Sequence, residues 1–115
     1  MRDPELYLKD ILQAMNSIDR FAEGVDFNVF KNDDMRASAV IRKFEIIGEA
    51  SKNVPDSIKQ KYPSIPWKDM AGMRDRLIHF YFGIKYELVW NTIKNDIPRI
   101  QPLIRKILED LEAEK

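Results

Sequence analysis

The residues best suited to acid–base chemistry lie in one stretch, Gly72 to Gly83, which contains the only histidine of the chain. Within it, Arg74 is followed after four intervening residues by His79, and Tyr81 comes two residues later. A histidine titrates near neutral pH and can move a proton, while an arginine can bind two phosphate oxygens and stabilise added charge. Because RNA supplies its own nucleophile in the 2′-hydroxyl, this set predicts cleavage of a phosphodiester without a metal or a covalent enzyme intermediate.

Each of these residues also has a structural interpretation. A single histidine borne by a helix is more often a structural or surface residue than a catalytic one. Arg74 could form a salt bridge with Glu45 or Glu49 across the bundle, and Tyr81 could pack in the core with its hydroxyl at the rim. Metal chemistry is less well supported, since the chain has neither a second histidine nor a cysteine.

A helix from Pro66 to Tyr81 is predicted to position this stretch, with Gly83 as its left-handed C-terminal cap. Arg74 falls in the middle of the apolar stripe of this helix, so it needs an ion-pair partner or a wet cavity. The stripe consists of Trp67, Met70, Ala71, Leu77, Ile78 and Tyr81.

The same helix sets the angles between the candidate site residues. Asp75 and His79 lie on one flank, one turn apart, and Tyr81 is in register with Arg74. Arg74 and His79 are roughly 140° apart on an ideal helix, so the pair of one subunit does not readily converge on one phosphate. We therefore expect a homodimer whose motif helices face each other across a two-fold axis.

Two segments before this stretch have the pattern of long amphipathic helices. The first begins with Asp3 as its N-cap and ends near Gly24. The second is capped within residues 32–34 and runs to about Asn53. Gly48, inside the second helix, indicates the close approach of another backbone.

The remaining segments are shorter or interrupted. Residues 25–31 read as a loop, and residues 56–62 as two turns of helix. The segment from Tyr86 to Leu111 has helical spacing but contains two prolines, so it either kinks or forms two helices, the second capped by Asp96. No segment alternates as a strand would, and we expect an all-α, up-and-down bundle of four to five helices forming a single domain over residues 1–115.

Composition narrows the class of protein. A chain of 115 residues with 44% hydrophobic content suffices for one domain with a core. The lack of cysteine fits a reducing compartment, and no apolar run approaches the roughly 20 residues of a membrane span, so a cytoplasmic protein is expected. The net charge is zero, but residues 36–85 carry ten Lys/Arg and five Asp/Glu. This excess predicts either a basic patch for a polyanion or simply well-solvated helices.

The spacing of Arg74, His79 and Tyr81 is the R-x4-H-x-Y signature of the HEPN superfamily, and the chain resembles its HepT-like branch. Members of this branch are toxins paired with small MNT-type nucleotidyltransferase antitoxins. The resemblance also covers residues 44–50, 65–72, 81–84 and 89–98.

This resemblance implies a metal-independent endoribonuclease toxin that needs no cofactor, acts on RNA and is a homodimer. It implies that Arg74 and His79 are catalytic, that Asp75 orients the site, and that Tyr81 is the residue a cognate antitoxin can adenylylate. The alternative is a non-catalytic HEPN helical module that binds a nucleotide or a nucleotidyltransferase partner. The presence of both Arg74 and His79 favours the enzyme.

Overall fold

Three long helical segments build the molecule, and a computed structural model describes residues 2–79 and 83–115, with His79 described by its backbone alone. The long segments are α1, α3 and a rod that comprises α7, a π-helical stretch and α8. The elements in chain order are α1 (Pro4–Ala22), α2 (Phe27–Lys31), α3 (Asp34–Asn53), α4 (Asp56–Lys61), α5 (Trp67–Ala71), α6 (Met73–Leu77), β1 (Ile78–His79), β2 (Gly83–Ile84), α7 (Tyr86–Asn91), the π-helical stretch (Thr92–Asp96) and α8 (Ile97–Ala113).

The two long N-terminal helices begin where capping aspartates start them. The Asp3 carboxylate accepts a hydrogen bond from the Glu5 amide at 2.9 Å. The Asp33 carboxylate accepts one from the Arg36 amide at 3.0 Å, and this bond lowers the pKa of Asp33. Each cap satisfies an amide that the first helical turn leaves without a partner. The predicted bounds of α1 and α3 are confirmed to within two residues.

The rod runs antiparallel to α1, as an up-and-down bundle requires. Gln101 on α8 donates to Asn16 near the end of α1, whereas Lys115 pairs with Glu5 near its start at 2.7 Å. Buried side chains from α1, α3 and the rod form one core. They include Leu8, Ile11, Phe44, Ile47, Ile97 and Ile100. Since helices build this core, the prediction of an all-α fold is confirmed. Among the described residues, no helix combines the length and the apolarity that crossing a bilayer demands.

The loop predicted over residues 25–31 is wrong, because Phe27–Lys31 form the short helix α2. The Asp26 carboxylate caps this helix by accepting from the Val29 amide at 2.9 Å. Phe30 is buried against Trp90 of α7, with ring centroids 5.3 Å apart. Aromatic packing against a distant segment therefore stabilises a helix too short to form by itself.

The C-terminal rod is continuous, so the predicted alternative of two helices with Asp96 as the cap of the second is wrong, while the alternative of a kink stays a prediction. Asn91, Thr92, Asp96 and Ile97 all keep right-handed helical dihedral angles through the π-helical stretch, and the Asp96 side chain forms no cap hydrogen bond. Prolines in α8 lack the amide that would bond the carbonyl four residues earlier. The wider turn lies directly before the first of them, Pro98.

The predicted helix from Pro66 to Tyr81 is wrong at two points. It is interrupted at Gly72, which separates α5 from α6, and it ends at Leu77. Ile78 has extended dihedral angles, φ −119° and ψ 136°, and begins a two-stranded antiparallel pairing in which Ile78 opposes Ile84 and His79 opposes Gly83. Gly83 has a positive φ of 150°, but it lies in this pairing and not at a helix C-terminus.

The early end of α6 has a physical cause in a hydrogen bond with the returning chain. The carbonyl oxygen of Leu77 accepts from the amide of Lys85 at 2.9 Å. In a continuing helix, that carbonyl would accept from the residue four positions later. Ile78, which directly follows Leu77, is also β-branched, a type of residue enriched in strands.

Candidate active site

Arg74 lies on the exposed side of α6 and not on a buried stripe as predicted. The interruption at Gly72 turns α6 so that Met73 and Leu77, one turn apart, face the core. The Arg74 side chain is 50% exposed. The buried side chains of Met73 and Leu77 thus anchor α6. The Arg74 guanidinium stays half in water and avoids the full free-energy cost of burying a charge.

Two carboxylates hold the Arg74 guanidinium. Its Nε lies 3.4 Å from Oε2 of Glu45 on α3, and its Nη1 lies 3.5 Å from Oδ1 of Asp75. The structural alternative of an ion pair with Glu45 across the bundle is confirmed. Both pairs are open to solvent, so each is worth at most about 1 kcal/mol and can be exchanged for another anion at little cost.

A groove of about 210 Å³ contains Arg74 and separates α3 from α5 and α6. We call it the Arg74 groove. Its cations are Arg42, Lys52 and Arg74, and its carboxylates are Glu45, Glu49 and Asp75; Gly48 and Ala71 complete its lining. The formal charge of these residues is zero, so the basic excess of the central sequence is not concentrated here.

The width of the Arg74 groove depends on Gly48, where the prediction of a close backbone approach is confirmed. A Cβ built on Gly48 would lie 3.3 Å from the carbonyl oxygen of Ala71 and 3.4 Å from that of Met70. A larger residue would force α5 away from α3. Gly48 therefore sets the distance between the wall that carries Glu45 and the wall that carries Arg74.

Asp75 is next to Arg74 and its side chain is 87% exposed. The prediction that Asp75 and His79 share one flank of a continuous helix is wrong, because α6 ends at Leu77. The contact that the structure does give Asp75 is the ion pair with Arg74. Asp75 therefore forms an ion pair with the guanidinium while its carboxylate stays largely exposed to solvent.

His79 is placed only by its backbone, in β1 opposite Gly83. The side chain of His79 and the whole of Tyr81 lie outside the described residues, so the predictions made for them are not tested. The angular argument that separated Arg74 from His79 by about 140° applied to a continuous helix and no longer holds. The same is true of the register of Tyr81 with Arg74.

A second ion pair near the site was not found from the sequence. Arg76 Nη2 lies 3.6 Å from Oδ2 of Asp96, at the end of the π-helical stretch, and Arg99 Nη2 lies 4.0 Å from Oδ1 of the same residue. The Nε of Arg76 is buried without a hydrogen-bond partner among the described residues. Asp96 was predicted as a helix cap, and no sequence pattern relates it to a residue twenty positions earlier.

Metal ligands do not cluster in the part of the chain that the structure describes, where no group of three or more histidine or carboxylate side chains could hold an ion. The groove instead offers an arginine with exchangeable anionic partners. Such a group can bind a phosphate through charge-assisted hydrogen bonds.

Comparison with known proteins identifies the family. The family model described as ribonuclease HepT-like matches residues 11–107. A protein of Methanocaldococcus jannaschii named "Putative RNase MJ0125" is 49% identical over 111 residues, which cover 96% of each chain. One of Thermococcus cleftensis named "Probable ribonuclease HepT" is 46% identical over 101 residues, covering 88% of this chain and 92% of the relative. No solved structure matches the chain. With a family model spanning most of its length and relatives of this similarity, the chain belongs to the ribonuclease HepT-like family.

Proposed function

We propose that this protein is a metal-independent endoribonuclease toxin that cleaves single-stranded RNA and is neutralised by an MNT-type nucleotidyltransferase antitoxin. The observation that carries the proposal is the half-exposed Arg74 guanidinium, which lies in a groove and whose solvent-open ion pair with Glu45 a phosphate can replace. Membership of the family and the names of the relatives support the same activity. The toxin–antitoxin pairing rests on the resemblance of the sequence motif.

In the proposed reaction, Arg74 binds the non-bridging oxygens of one phosphate, and His79 is the group that moves the proton. The 2′-oxygen loses its proton and bonds to phosphorus, and the bond from phosphorus to the 5′-oxygen breaks. The 5′-oxygen takes up a proton, so that the products are a 2′,3′-cyclic phosphate and a 5′-hydroxyl. Arg74 neutralises the charge that grows on the phosphate oxygens, and Asp75 orients Arg74.

Cleavage of a labelled single-stranded RNA tests this function. Wild-type protein should cleave it equally well with and without EDTA, and Arg74→Ala and His79→Ala should each lower the rate by about a hundredfold or more. Induced expression of wild type, but not of His79→Ala, should stop growth. Activity that disappears with EDTA and returns with a divalent ion would contradict the mechanism. An inert wild type that still binds a nucleotidyltransferase would instead identify the non-catalytic module.

Tyr81 is proposed as the residue that the antitoxin adenylylates. An adenylate two residues after His79 would bring a negatively charged phosphodiester to a site that has to hold RNA phosphate. Mass spectrometry after co-expression with an MNT-type nucleotidyltransferase antitoxin should find adenylate mass on the peptide that contains Tyr81, together with loss of cleavage. An unmodified Tyr81 in a fully inhibited complex would mean that the antitoxin acts by covering the site.

The homodimer is proposed from the resemblance alone, since the angular argument for it does not survive the end of α6 at Leu77. Sedimentation at micromolar concentration should give twice the mass of 13.6 kDa. A monomer that cleaves RNA under the same conditions would overturn the dimer without affecting the assignment of Arg74.

A further inference from the structure

The Arg74 groove has two cations besides Arg74, and neither is buried in the bundle. Arg42 and Lys52 are both exposed on α3 and ten residues apart, which corresponds to about 15 Å along the helix axis. α5 crosses α3 at Gly48, between these two positions, and Arg74 contacts Glu45 in the same interval. The three cations therefore follow one another along the groove in the order Arg42, Arg74, Lys52.

The ion pairs of the groove leave these cations available to an incoming anion. Lys52 Nζ is 3.9 Å from Glu49, in a pair whose side chains are 60% and 74% exposed. Arg42 forms no ion pair with any carboxylate in the described part of the chain. Because solvent-exposed pairs contribute so little, Lys52 and Arg74 can each exchange a carboxylate for a phosphate oxygen without destabilising the fold, and Arg42 has no pair to exchange.

The three cations follow one another along α3, which suits the evenly spaced phosphates of one nucleic-acid strand. The groove that they line has a volume of about 210 Å³. The groove is electrically neutral as a whole, so local contacts to successive phosphates, and not a broad positive field, have to supply the affinity.

We propose that Arg42 and Lys52 bind the phosphates on either side of the one held by Arg74, so that a substrate strand lies along α3 and is held at three successive phosphates. This inference rests on the proposed ribonuclease function for the identity of the ligand. It assigns Arg42 and Lys52 as positioning residues, which contribute to the affinity for RNA and not to the chemical step.

The test measures binding of fluorescent RNA in which every 2′-hydroxyl is methylated, so that no cleavage occurs. Arg42→Ala and Lys52→Ala should each weaken binding of an octanucleotide about fivefold and reduce the slope of log affinity against log salt by about 0.7. Arg105→Ala and Lys31→Ala are matched controls, since both residues are exposed cations that do not line the groove. The controls should leave affinity and slope unchanged.

Varying the length of the RNA makes this binding test sharper. A dinucleotide has one internucleotide phosphate, so its weak binding should depend on Arg74 and not on Arg42 or Lys52. A tetranucleotide has three, and it should be sensitive to both variants. Lys52→Arg should keep the affinity. In cleavage assays, Arg42→Ala and Lys52→Ala should raise KM and leave kcat unchanged.

The outcomes separate this inference from the proposed function. If wild type cleaves RNA while both variants and both controls bind the octanucleotide equally, the assignment of Arg42 and Lys52 is overturned and the function stands. If wild type does not cleave but the variants lose affinity and salt slope as expected, the proposed function fails and the assignment of Arg42 and Lys52 as phosphate-binding residues stands. Failure of wild type to bind the octanucleotide at all overturns that assignment.

Discussion

Gly48 and Ala71 meet where α5 crosses α3, so closely that a Cβ on Gly48 would lie 3.3 Å from the Ala71 carbonyl oxygen. Arg74 follows Ala71 by three residues, and its Nε reaches Glu45, three residues before Gly48, at 3.4 Å. The contact at Gly48 therefore fixes how far apart the two walls of the Arg74 groove stand.

Gly48→Ala should lower the free energy of unfolding by about 1–2 kcal/mol, because the strain of pushing α5 outward exceeds the gain in helix propensity of about 1 kcal/mol. Urea unfolding measures the change. Gly72→Ala is the matched control, since its Cβ would meet only the Lys68 carbonyl oxygen at an ordinary 3.6 Å. If the Gly48→Ala protein is more stable than wild type, α5 moves away from α3 without strain and the prediction is wrong.

Arg74→Ala should change the free energy of unfolding by less than about 1 kcal/mol, because the side chain is half-exposed and its two ion pairs face solvent. Thermal melts followed by circular dichroism check this, beside the loss of cleavage expected of the same variant. Arg74→Lys should fold equally well but recover little activity, since an ammonium cannot bind two phosphate oxygens side by side. A loss of 3 kcal/mol or more would assign Arg74 to the fold.

Glu45→Gln should tighten the binding of methylated RNA by about threefold, because it removes the carboxylate that competes with phosphate for Arg74 at comparable exposed-pair energy. Fluorescence anisotropy at fixed salt is the measurement. Glu49→Gln should have a smaller effect, since Glu49 pairs only loosely with Lys52, at 3.9 Å. Weaker binding by Glu45→Gln would show that Glu45 holds Arg74 in position and does not compete.

Tyr62 donates a hydrogen bond to Asp110 on α8 at 2.6 Å, and this bond raises the pKa of Tyr62 to about 12. Because the folded pKa exceeds the ordinary value of 10.0, the stabilisation is complete below pH 10 and is lost as the pH rises toward 12. Tyr62→Phe should cost about 1 kcal/mol or less at pH 7, discounted for solvent. Its deficit relative to wild type should shrink in urea unfolding at pH 11.

The pair of Tyr62 and Asp110 also makes the free energy of unfolding depend on pH in the acid range, with the opposite sign. Hydrogen bonds from Lys106 and Tyr62 lower the pKa of Asp110 below its ordinary 3.8, so this contribution is present above that pH and is lost as the pH falls through the lowered value.

Tyr7→Phe is a suitable control for Tyr62→Phe, because the Tyr7 ring packs under Arg2 and its hydroxyl has no partner in the described part of the chain. An equal deficit for Tyr62→Phe at pH 7 and pH 11 would contradict the role of the bond.

The elements that could be predicted from the sequence are those whose cause is local. Asp3 and Asp33 cap α1 and α3 through amides two or three residues away, and apolar side chains at helical spacing do the rest. Gly48 was also predictable, because a glycine within an otherwise regular helix needs a reason such as a close neighbour. These signals are written within a few residues of the place where they act.

The elements that could not be predicted depend on distant partners. The end of α6 requires the amide of Lys85, eight residues beyond Leu77, and α2 requires Trp90. For the site, the sequence identified Arg74 and named Glu45 as a possible partner. It could not identify Arg42 and Lys52 as neighbours of Arg74, because helical periodicity gives the faces of each helix but not how two helices cross.

The π-helical stretch has a consequence for comparing sequences of different length. Each of its turns holds one residue more than an α-helical turn. Loss of one residue within Thr92–Asp96 could be absorbed by rewinding that turn, with the faces of α7 and α8 kept in register. Loss of one residue near the start of α8 itself would rotate the rest of that helix by about 100° and move buried positions such as Ile104 and Ile107 to the surface. A one-residue gap between relatives in this rod therefore belongs at residues 92–96.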